Sequence, residues 1–133
     1  MQLLKHFSVL LLWVVLISVL SLMPSGSFNE SIFLFKHQDK VIHFVFYFIY
    51  ALLFHRFLFK VIECRLATMA LISGVVPVVF SGIIEITQEY LISNRHADFF
   101  DFIFNIAGAV AGVYLYQLVI RQRFFKLYVK EFS

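Results

Sequence analysis

The sequence predicts an all-α integral membrane protein, a four-helix transmembrane bundle. Of its 133 residues, 62% are hydrophobic and only 14% are charged, which leaves too little polar surface to cover a soluble domain of this size. Its apolar residues form four stretches of spanning length, because about 20 helical residues cross a hydrocarbon core of about 30 Å and a strand needs only about half as many. The expected spans are residues 3–23, 40–58, 66–92 and 99–120.

The first span is expected to be retained rather than cleaved as a signal peptide. Lys5 precedes the apolar run, as in a signal peptide, but the run is longer than a usual signal core. The residues that follow it are Met23 and Pro24, which do not resemble the small-residue cleavage site. With no repeat or composition boundary elsewhere, residues 1–133 are expected to form a single transmembrane domain.

The third span is longer than a bilayer requires and contains Gly74, Pro77 and Gly82. Proline interrupts the hydrogen bonding of a helix, and an over-long apolar helix tilts in the membrane. The sequence therefore predicts a kink or a strong tilt in this helix.

The fourth span contains Gly108 and Gly112 one helical turn apart. Small residues at this spacing let two helices approach closely in a membrane. We expect close helix packing at these glycines, and a homo-oligomer through them is the alternative.

Basic residues are concentrated at one set of segment ends. They occupy the N-terminus, the joint between the second and third spans, and the C-terminal tail, as Lys5, Arg56, Lys60, Arg65, Arg121, Arg123, Lys126 and Lys130. The positive-inside rule then predicts that both termini are cytoplasmic and that the joints after the first and third spans face outward. His55, close to the basic joint, is expected to be an interfacial anchor like Lys60.

Several function classes are excluded by the composition and by missing motifs. The formal charge is only +3 and its basic residues are dispersed, so there is no nucleic-acid footprint. The single cysteine, Cys64, cannot form an internal disulfide. The chain has no Gly-rich phosphate loop, no H-E-x-x-H sequence and no nucleophile elbow.

Polar side chains nevertheless gather at one end of three expected helices. An ionisable group at the centre of a membrane helix costs on the order of 3 kcal/mol, so such a group indicates a function. The cluster consists of Lys40, His43 and Tyr47 in the second span, Glu85 and Gln88 in the third, and Arg95, Asp98, Asp101 and Asn105 around the start of the fourth. Their spacing places each set on one helical face. The faces reach a common depth, roughly 10 Å below the outer helix ends, which predicts an outward-facing polar pocket.

The residue types of this pocket suit several kinds of chemistry. Lys40 and Arg95 are able to hold an anion, with Arg95 offering a bidentate fork for phosphate or carboxylate. Glu85, Asp98 and Asp101 are able to pair with those cations, ligate a divalent metal, or act as acid and base. These possibilities remain open at the level of the sequence.

His43 is the natural proton carrier of the cluster near neutral pH. The sequence predicts no dedicated metal site, since His6, His37 and His96 lack the spacing of metal ligands, and it identifies no cofactor. The candidate catalytic residues are His43, Glu85 and Asp101, and the candidate ligand-binding residues are Lys40, Tyr47, Gln88, Arg95, Asp98 and Asn105.

Structural roles compete with these functional ones. Asp98 at the start of a helix is able to act only as a cap that complements the helix dipole. Glu85 and Arg95 are able to form a structural ion pair between the third and fourth spans. Tyr47 fits equally well in the core or in the aromatic belt at the membrane surface.

Three motifs in order carry a family resemblance. They are Asp39-Lys40-x-x-His43-x-x-x-Tyr47, Glu85-x-x-Gln88, and Arg95-x-x-Asp98-x-x-Asp101-x-x-x-Asn105-x-x-Gly108-x-x-x-Gly112. With these residues the chain resembles the VanZ-like family of small bacterial membrane proteins over about residues 24–116. The resemblance implies a multi-pass protein of the bacterial cytoplasmic membrane. The family's namesake is associated with low-level resistance to teicoplanin, a lipid-tailed glycopeptide antibiotic.

Two functions follow as hypotheses, and the sequence does not choose between them. In the first, the outward pocket binds an anionic or lipid-linked ligand, such as a membrane lipid or a lipid-linked cell-wall precursor, and alters teicoplanin susceptibility. In the second, the protein is an intramembrane enzyme that acts on a lipid head group or a polyprenyl phosphate. A purely structural or ion-conducting role ranks last, because the inner halves of the spans are nearly uncharged.

Overall fold

The computed structural model describes residues 2–23, 38–91 and 98–131. Within these ranges every regular element is a helix, and none is a strand. The helices are α1 (Gln2–Ser21), α2 (Gln38–Val61), α3 (Leu66–Leu91) and α4 (Phe99–Glu131). Each contains a segment that is long and apolar enough to cross a membrane, which confirms the predicted all-α fold with four spanning helices.

The last helix departs most from its expected bounds. The expected span ends near Ile120, whereas α4 continues to Glu131. The intervening sequence contains no glycine or proline and is rich in arginine, lysine and glutamine, which favour helix. Because nothing in this segment breaks a helix, α4 continues beyond its apolar part. The other helices begin and end within three residues of the expected positions.

α3 is one helix throughout, although it contains Pro77. Proline cannot donate a backbone hydrogen bond, so the carbonyl of Ser73 loses its usual intrahelical partner. Ser73, Pro77 and Ser81 are all buried and follow one another at intervals of four, so they form one face of α3 inside the bundle. The expected kink or tilt at this proline stays a prediction.

α2 is the central helix of the bundle. It packs against each of the other helices and most extensively against α4. The start of α1 meets the end of α2, where the rings of Phe7 and Phe57 lie 5.9 Å apart. The start of α3 meets the late part of α4, where Gln117 donates a hydrogen bond to the carbonyl of Leu66 over 3.2 Å. Helices that follow one another along the chain are therefore antiparallel. α2 and α4 are parallel, since Lys40 at the start of α2 contacts Asp98 and Asp101 at the start of α4, and the end at which both begin is called the polar end below.

Two glycines of α4 allow its close approach to α2. A Cβ atom added to Gly108 would collide with the backbone carbonyl of Phe44, and one added to Gly112 would collide with the carbonyl of Phe48 and meet Ala51 Cβ at 3.2 Å. The expected close packing at these glycines is thus confirmed, and it occurs within one chain. A homo-oligomer through the same glycines is untested and would have to compete with α2 for this face.

α1 packs on α2 through one side and presents apolar residues on the other. Trp13 Nε1 donates a 3.0 Å hydrogen bond to the carbonyl of Phe46, and Ile17 is fully buried beside it. On the opposite side, Leu4 and Leu12 are 68% and 69% exposed. An outer surface of this kind is stable in hydrocarbon rather than in water, in agreement with a multi-pass membrane protein.

Candidate functional site

Lys40 joins the start of α2 to the start of α4. Its Nζ atom lies 2.8 Å from Asp98 Oδ2, 3.0 Å from Asp101 Oδ1 and 3.4 Å from Asp39 Oδ2. The ammonium group also lies 5.8 Å from the centre of the Phe100 ring. One cation therefore faces three carboxylates, two of which belong to the first turn of α4 and to the residue before it.

Asp98 is both a helix cap and an ion-pair partner. It immediately precedes α4, and its Oδ1 atom accepts a 2.8 Å hydrogen bond from the backbone N–H of Phe100. A side chain at this position satisfies one of the N–H groups that a helix start leaves without a partner. Because Oδ2 remains for Lys40, the two roles that the sequence offered for Asp98 are compatible.

The same contacts hold the pKa of Asp98 below its ordinary value of 3.8, chiefly through the hydrogen bond from Lys40 and secondly through that from Phe100. Since the folded pKa is depressed, this carboxylate stabilises the fold above the ordinary pKa, and the contribution is lost as the pH falls through the folded pKa. Replacing Lys40 with methionine is expected to raise the pKa of Asp98. Infrared titration of its carboxyl band, identified by its absence in Asp98→Asn, measures the shift, and an unchanged midpoint would contradict the prediction.

A buried chain of hydrogen bonds connects α2, α4 and α3. Asn105 Nδ2 donates to Ser81 Oγ over 2.7 Å, and Asn105 Oδ1 lies 3.1 Å from His43 Nδ1. Because an amide oxygen only accepts hydrogen bonds, the His43 Nδ1 atom carries the proton of this contact. The other ring nitrogen, Nε2, then faces Asp101 Oδ2 at 3.5 Å. Asn105 is 1% exposed, so this series of hydrogen bonds is shielded from solvent.

Glu85 completes the buried part of the cluster from α3. It is 6% exposed, and one of its carboxylate oxygens lies within 4.8 Å of ligand atoms of both His43 and Asp101. Tyr47 is buried beside it, with its hydroxyl near Ser81 and Glu85. Tyr47 thus belongs to the core of the bundle and not to the aromatic belt.

Gln88 connects α3 to α1. Its Nε2 atom donates a 2.6 Å hydrogen bond to the carbonyl of Ser21, the last residue of α1. The last carbonyls of a helix have no intrahelical donor, so Gln88 satisfies one of them in a buried position. Its expected contact with a ligand stays a prediction.

The site residues predicted from the sequence thus meet at the polar end wherever the structure describes them. Arg95 lies outside the described residues. Its expected roles, as a clamp for an anion and as a partner of Glu85, stay predictions.

Among the described residues, four buried polar ones were not assigned to the site from the sequence, namely Ser21, His55, Ser73 and Ser81. Ser81 lies four residues before Glu85 and seven before Gln88, so its position on the same face of α3 was visible in the spacing. His55 was expected to be an interfacial anchor, and this expectation is wrong, because His55 is fully buried with its Nδ1 atom 2.7 Å from Ser73 Oγ. Position 55 continues the buried face of α2 that contains His43 and Tyr47 at intervals of four.

Comparison with known proteins gives one family assignment. The family model described as VanZ/LLP1 matches residues 6–121, a range that includes every residue of the polar end described above. No curated protein and no solved structure matches the chain.

Proposed function

The chain belongs to the VanZ/LLP1 family, and from this membership and the geometry of the polar end we propose that it is a cell-envelope protein of the bacterial cytoplasmic membrane. In this proposal the polar end holds the head group of an anionic or lipid-linked ligand. The observation that carries it is the convergence of His43, Glu85 and Asn105, each less than one-tenth exposed, from three different helices. Buried polar groups are costly in a membrane helix and mark functional sites there.

The surroundings of the polar end suit an amphiphilic ligand. Large apolar side chains lie open around it, with Tyr90, Leu91 and Phe99 each at least 70% exposed. A lipid tail would lie along such a surface while its head group reaches the ionisable residues of the cluster. The basic residues Arg56, Lys60 and Arg65 occur at the opposite end of the bundle, so the positive-inside rule favours a polar end on the extracytoplasmic side.

The charges of the site define how an anionic head group would bind. Among the described residues, Lys40 faces the carboxylates of Asp39, Asp98 and Asp101, and Glu85 adds a fourth carboxyl group nearby. A phosphate or carboxylate of the ligand would therefore have to take the place of one of these partners of Lys40. Asp39 and Asp98 are the most suitable partners to exchange, because their side chains are 49% and 41% exposed and that of Asp101 only 15%.

The family provides a biological context for such a site. Its namesake is associated with low-level teicoplanin resistance, and teicoplanin carries a lipid tail that positions it at the membrane. Binding of a lipid-linked cell-wall precursor or another amphiphile at the polar end would change how that antibiotic reaches its target. We propose altered teicoplanin susceptibility as the phenotype of this chain.

A second candidate function is supported by the contact between acid and base groups. His43 Nε2 lies 3.5 Å from Asp101 Oδ2, with Glu85 close to both. Histidine and carboxylate side chains are the groups most often used for general acid–base catalysis. In this alternative the protein is an intramembrane enzyme on a lipid head group or polyprenyl phosphate, with His43 or Glu85 as the general base.

The substitution Glu85→Gln tests the proposed function, with Glu89→Gln as its matched control. Both remove one carboxylate from the same part of α3, but Glu85 is buried in the cluster and Glu89 is exposed. In a susceptible host, the wild type and the Glu89→Gln variant are expected to raise the minimal inhibitory concentration of teicoplanin several-fold, and Glu85→Gln is expected to lose this effect at equal membrane levels. Equal susceptibility of all strains would contradict the proposal.

Lipid mass spectrometry on the same strains separates the two candidate functions. A lipid species that changes with the wild type and Glu89→Gln, but not with Glu85→Gln, identifies an enzyme and its substrate class. Identical lipid profiles together with the susceptibility difference support binding alone. A glycopeptide without a lipid tail serves as the control antibiotic, and its inhibitory concentration should be the same in every strain.

A further inference from the structure

We infer that His43, Glu85 and Asp101 form a binding site for a divalent transition-metal ion of the Zn²⁺ or Mn²⁺ class. Each residue offers one ligand atom, and the three atoms lie within 4.8 Å of one another. The residues belong to α2, α3 and α4 respectively, so only the folded bundle brings them together. The sequence left metal ligation open for Glu85 and Asp101 but predicted no dedicated metal site, because no two of the three residues have the spacing of a metal-binding motif.

The donor set matches this class of metal. One imidazole nitrogen and two carboxylate oxygens suit Zn²⁺ and Mn²⁺, whereas Ca²⁺ prefers oxygen ligands alone. Ligands about 2.1 Å from a common ion stand roughly 3–4 Å apart. A separation of 4.8 Å therefore has to shorten by roughly 1–2 Å, a movement that rotation of the Glu85 side chain is able to supply.

Hydrogen bonds orient two of the three metal-binding side chains, those of His43 and Asp101, toward the proposed ion. Asn105, itself fixed by its hydrogen bond to Ser81, engages His43 Nδ1 and so directs Nε2 toward the carboxylates. Lys40 engages Oδ1 of Asp101 and leaves Oδ2 on the side of His43. Metal-binding histidines and carboxylates are oriented by partners of this kind in known sites.

One further observation points to a ligand between these residues. The Tyr47 hydroxyl is buried next to Glu85 and makes no hydrogen bond of regular geometry within the described part of the chain. A water molecule bound to a metal at this position would provide its partner.

The inference deepens the proposed function and rests on it only for the role of the metal. A divalent ion would offset the excess of carboxylates at the polar end and would offer a phosphate head group a positive partner besides Lys40. Metal binding itself is measured on the protein without any lipid. A wild-type protein that raises teicoplanin resistance but binds no Mn²⁺ would overturn the inference alone. One that binds Mn²⁺ through these residues but leaves teicoplanin susceptibility unchanged would overturn only the proposed function.

Electron paramagnetic resonance of purified protein in detergent, titrated with Mn²⁺, tests the site directly. The wild type is expected to reduce the signal of free Mn²⁺ at one ion per chain, and Zn²⁺ is expected to restore it by competition. Glu85→Gln and His43→Gln are expected to weaken Mn²⁺ binding by at least about tenfold, since loss of even an outer partner of a metal ligand weakens binding by about tenfold to a hundredfold. Glu89→Gln is the matched control, because Glu89 is an exposed carboxylate one residue beyond Gln88 on α3 and belongs to neither cluster of possible ligands at the polar end, and its Mn²⁺ affinity should equal that of the wild type.

Spin-echo modulation by the histidine nitrogen keeps the inference testable if a variant fails to fold. Bound Mn²⁺ in the wild type is expected to show coupling to one imidazole ¹⁴N, and this coupling is expected to change to the ¹⁵N pattern in protein labelled at histidine. Absence of the coupling would overturn the inference, as would equal Mn²⁺ affinity in folded Glu85→Gln, His43→Gln and wild-type protein. Helical circular dichroism and a single gel-filtration peak define a folded variant.

Discussion

Replacing Gly108 with alanine is expected to force α2 and α4 apart and to lower the free energy of unfolding by about 3 kcal/mol. The added methyl group would collide with the backbone carbonyl of Phe44 and would stand 3.0 Å from the backbone nitrogen of Phe48. Because both obstacles are backbone atoms, no side-chain rotation relieves the collision, and the helices have to move. The same movement would disturb the contacts of Lys40 and His43 with α4, which depend on the spacing of these two helices.

The two glycines of α3 are the matched controls. A Cβ atom on Gly82 would lie 3.7 Å from Phe102 Cε2, and one on Gly74 would lie 4.0 Å from Val113 Cγ2, which are ordinary contacts. Gly82→Ala and Gly74→Ala are therefore expected to retain wild-type stability. Reversible unfolding by SDS in mixed micelles, followed by circular dichroism, measures all three variants. A Gly108→Ala protein as stable as Gly82→Ala would show that the backbones of α4 and α2 do not pack as closely at Gly108 as described.

Replacing Lys40 with methionine is expected to lower the free energy of unfolding by about 3 kcal/mol, because removing one partner of a largely buried ion pair leaves the other charge uncompensated. The side chains of Lys40 and Asp101 are only 14% and 15% exposed. Without the ammonium group, Asp39, Asp98 and Asp101 would repel one another at the start of α4. The methionine keeps most of the apolar part of the lysine side chain, so the expected loss is electrostatic.

A second substitution tests that explanation. Asp101→Asn in the Lys40→Met background removes one of the carboxylates that has lost its ion-pair partner. It is expected to restore part of the lost stability in the same unfolding experiment. Lys60→Met, at the exposed far end of α2, is expected to have little effect, since an exposed charge contributes little to stability. If Lys40→Met and Lys60→Met unfold alike, the cluster around Lys40 does not stabilise the fold.

The predicted spans agree well with the structure because apolar length is a local property. A run of about 20 apolar residues satisfies its backbone only as a helix in hydrocarbon, and α1, α2 and α3 follow that rule closely. The end of α4 does not follow this rule, because the thickness of the bilayer sets only the length of the apolar part of a helix. Whether the helix continues to Glu131 depends on the helix propensity of the polar residues beyond it.

The faces of the helices were also visible in the sequence, but one histidine was misjudged. Spacing placed Lys40, His43 and Tyr47 on one side of α2, and the structure describes them there. The same interval of four reaches His55, which proximity to basic residues had suggested was an anchor. Periodicity was the better guide, since a buried face continues along a whole helix whereas closeness in sequence to a charged joint does not fix which way a side chain points.

By itself the sequence determined four spanning helices, the faces that carry polar groups, and the end of the bundle at which those faces meet. These features follow from hydrophobicity and from the 3.6-residue period of the helix, which act along a single segment. Only the tertiary structure decided that Lys40 pairs with carboxylates from α4 and that Gln88 donates a hydrogen bond to the end of α1. It also decided that the glycines of α4 pack against the backbone of α2. Each of these pairings depends on which helices become neighbours and how closely they approach, and that depends on the fit of all four helices together.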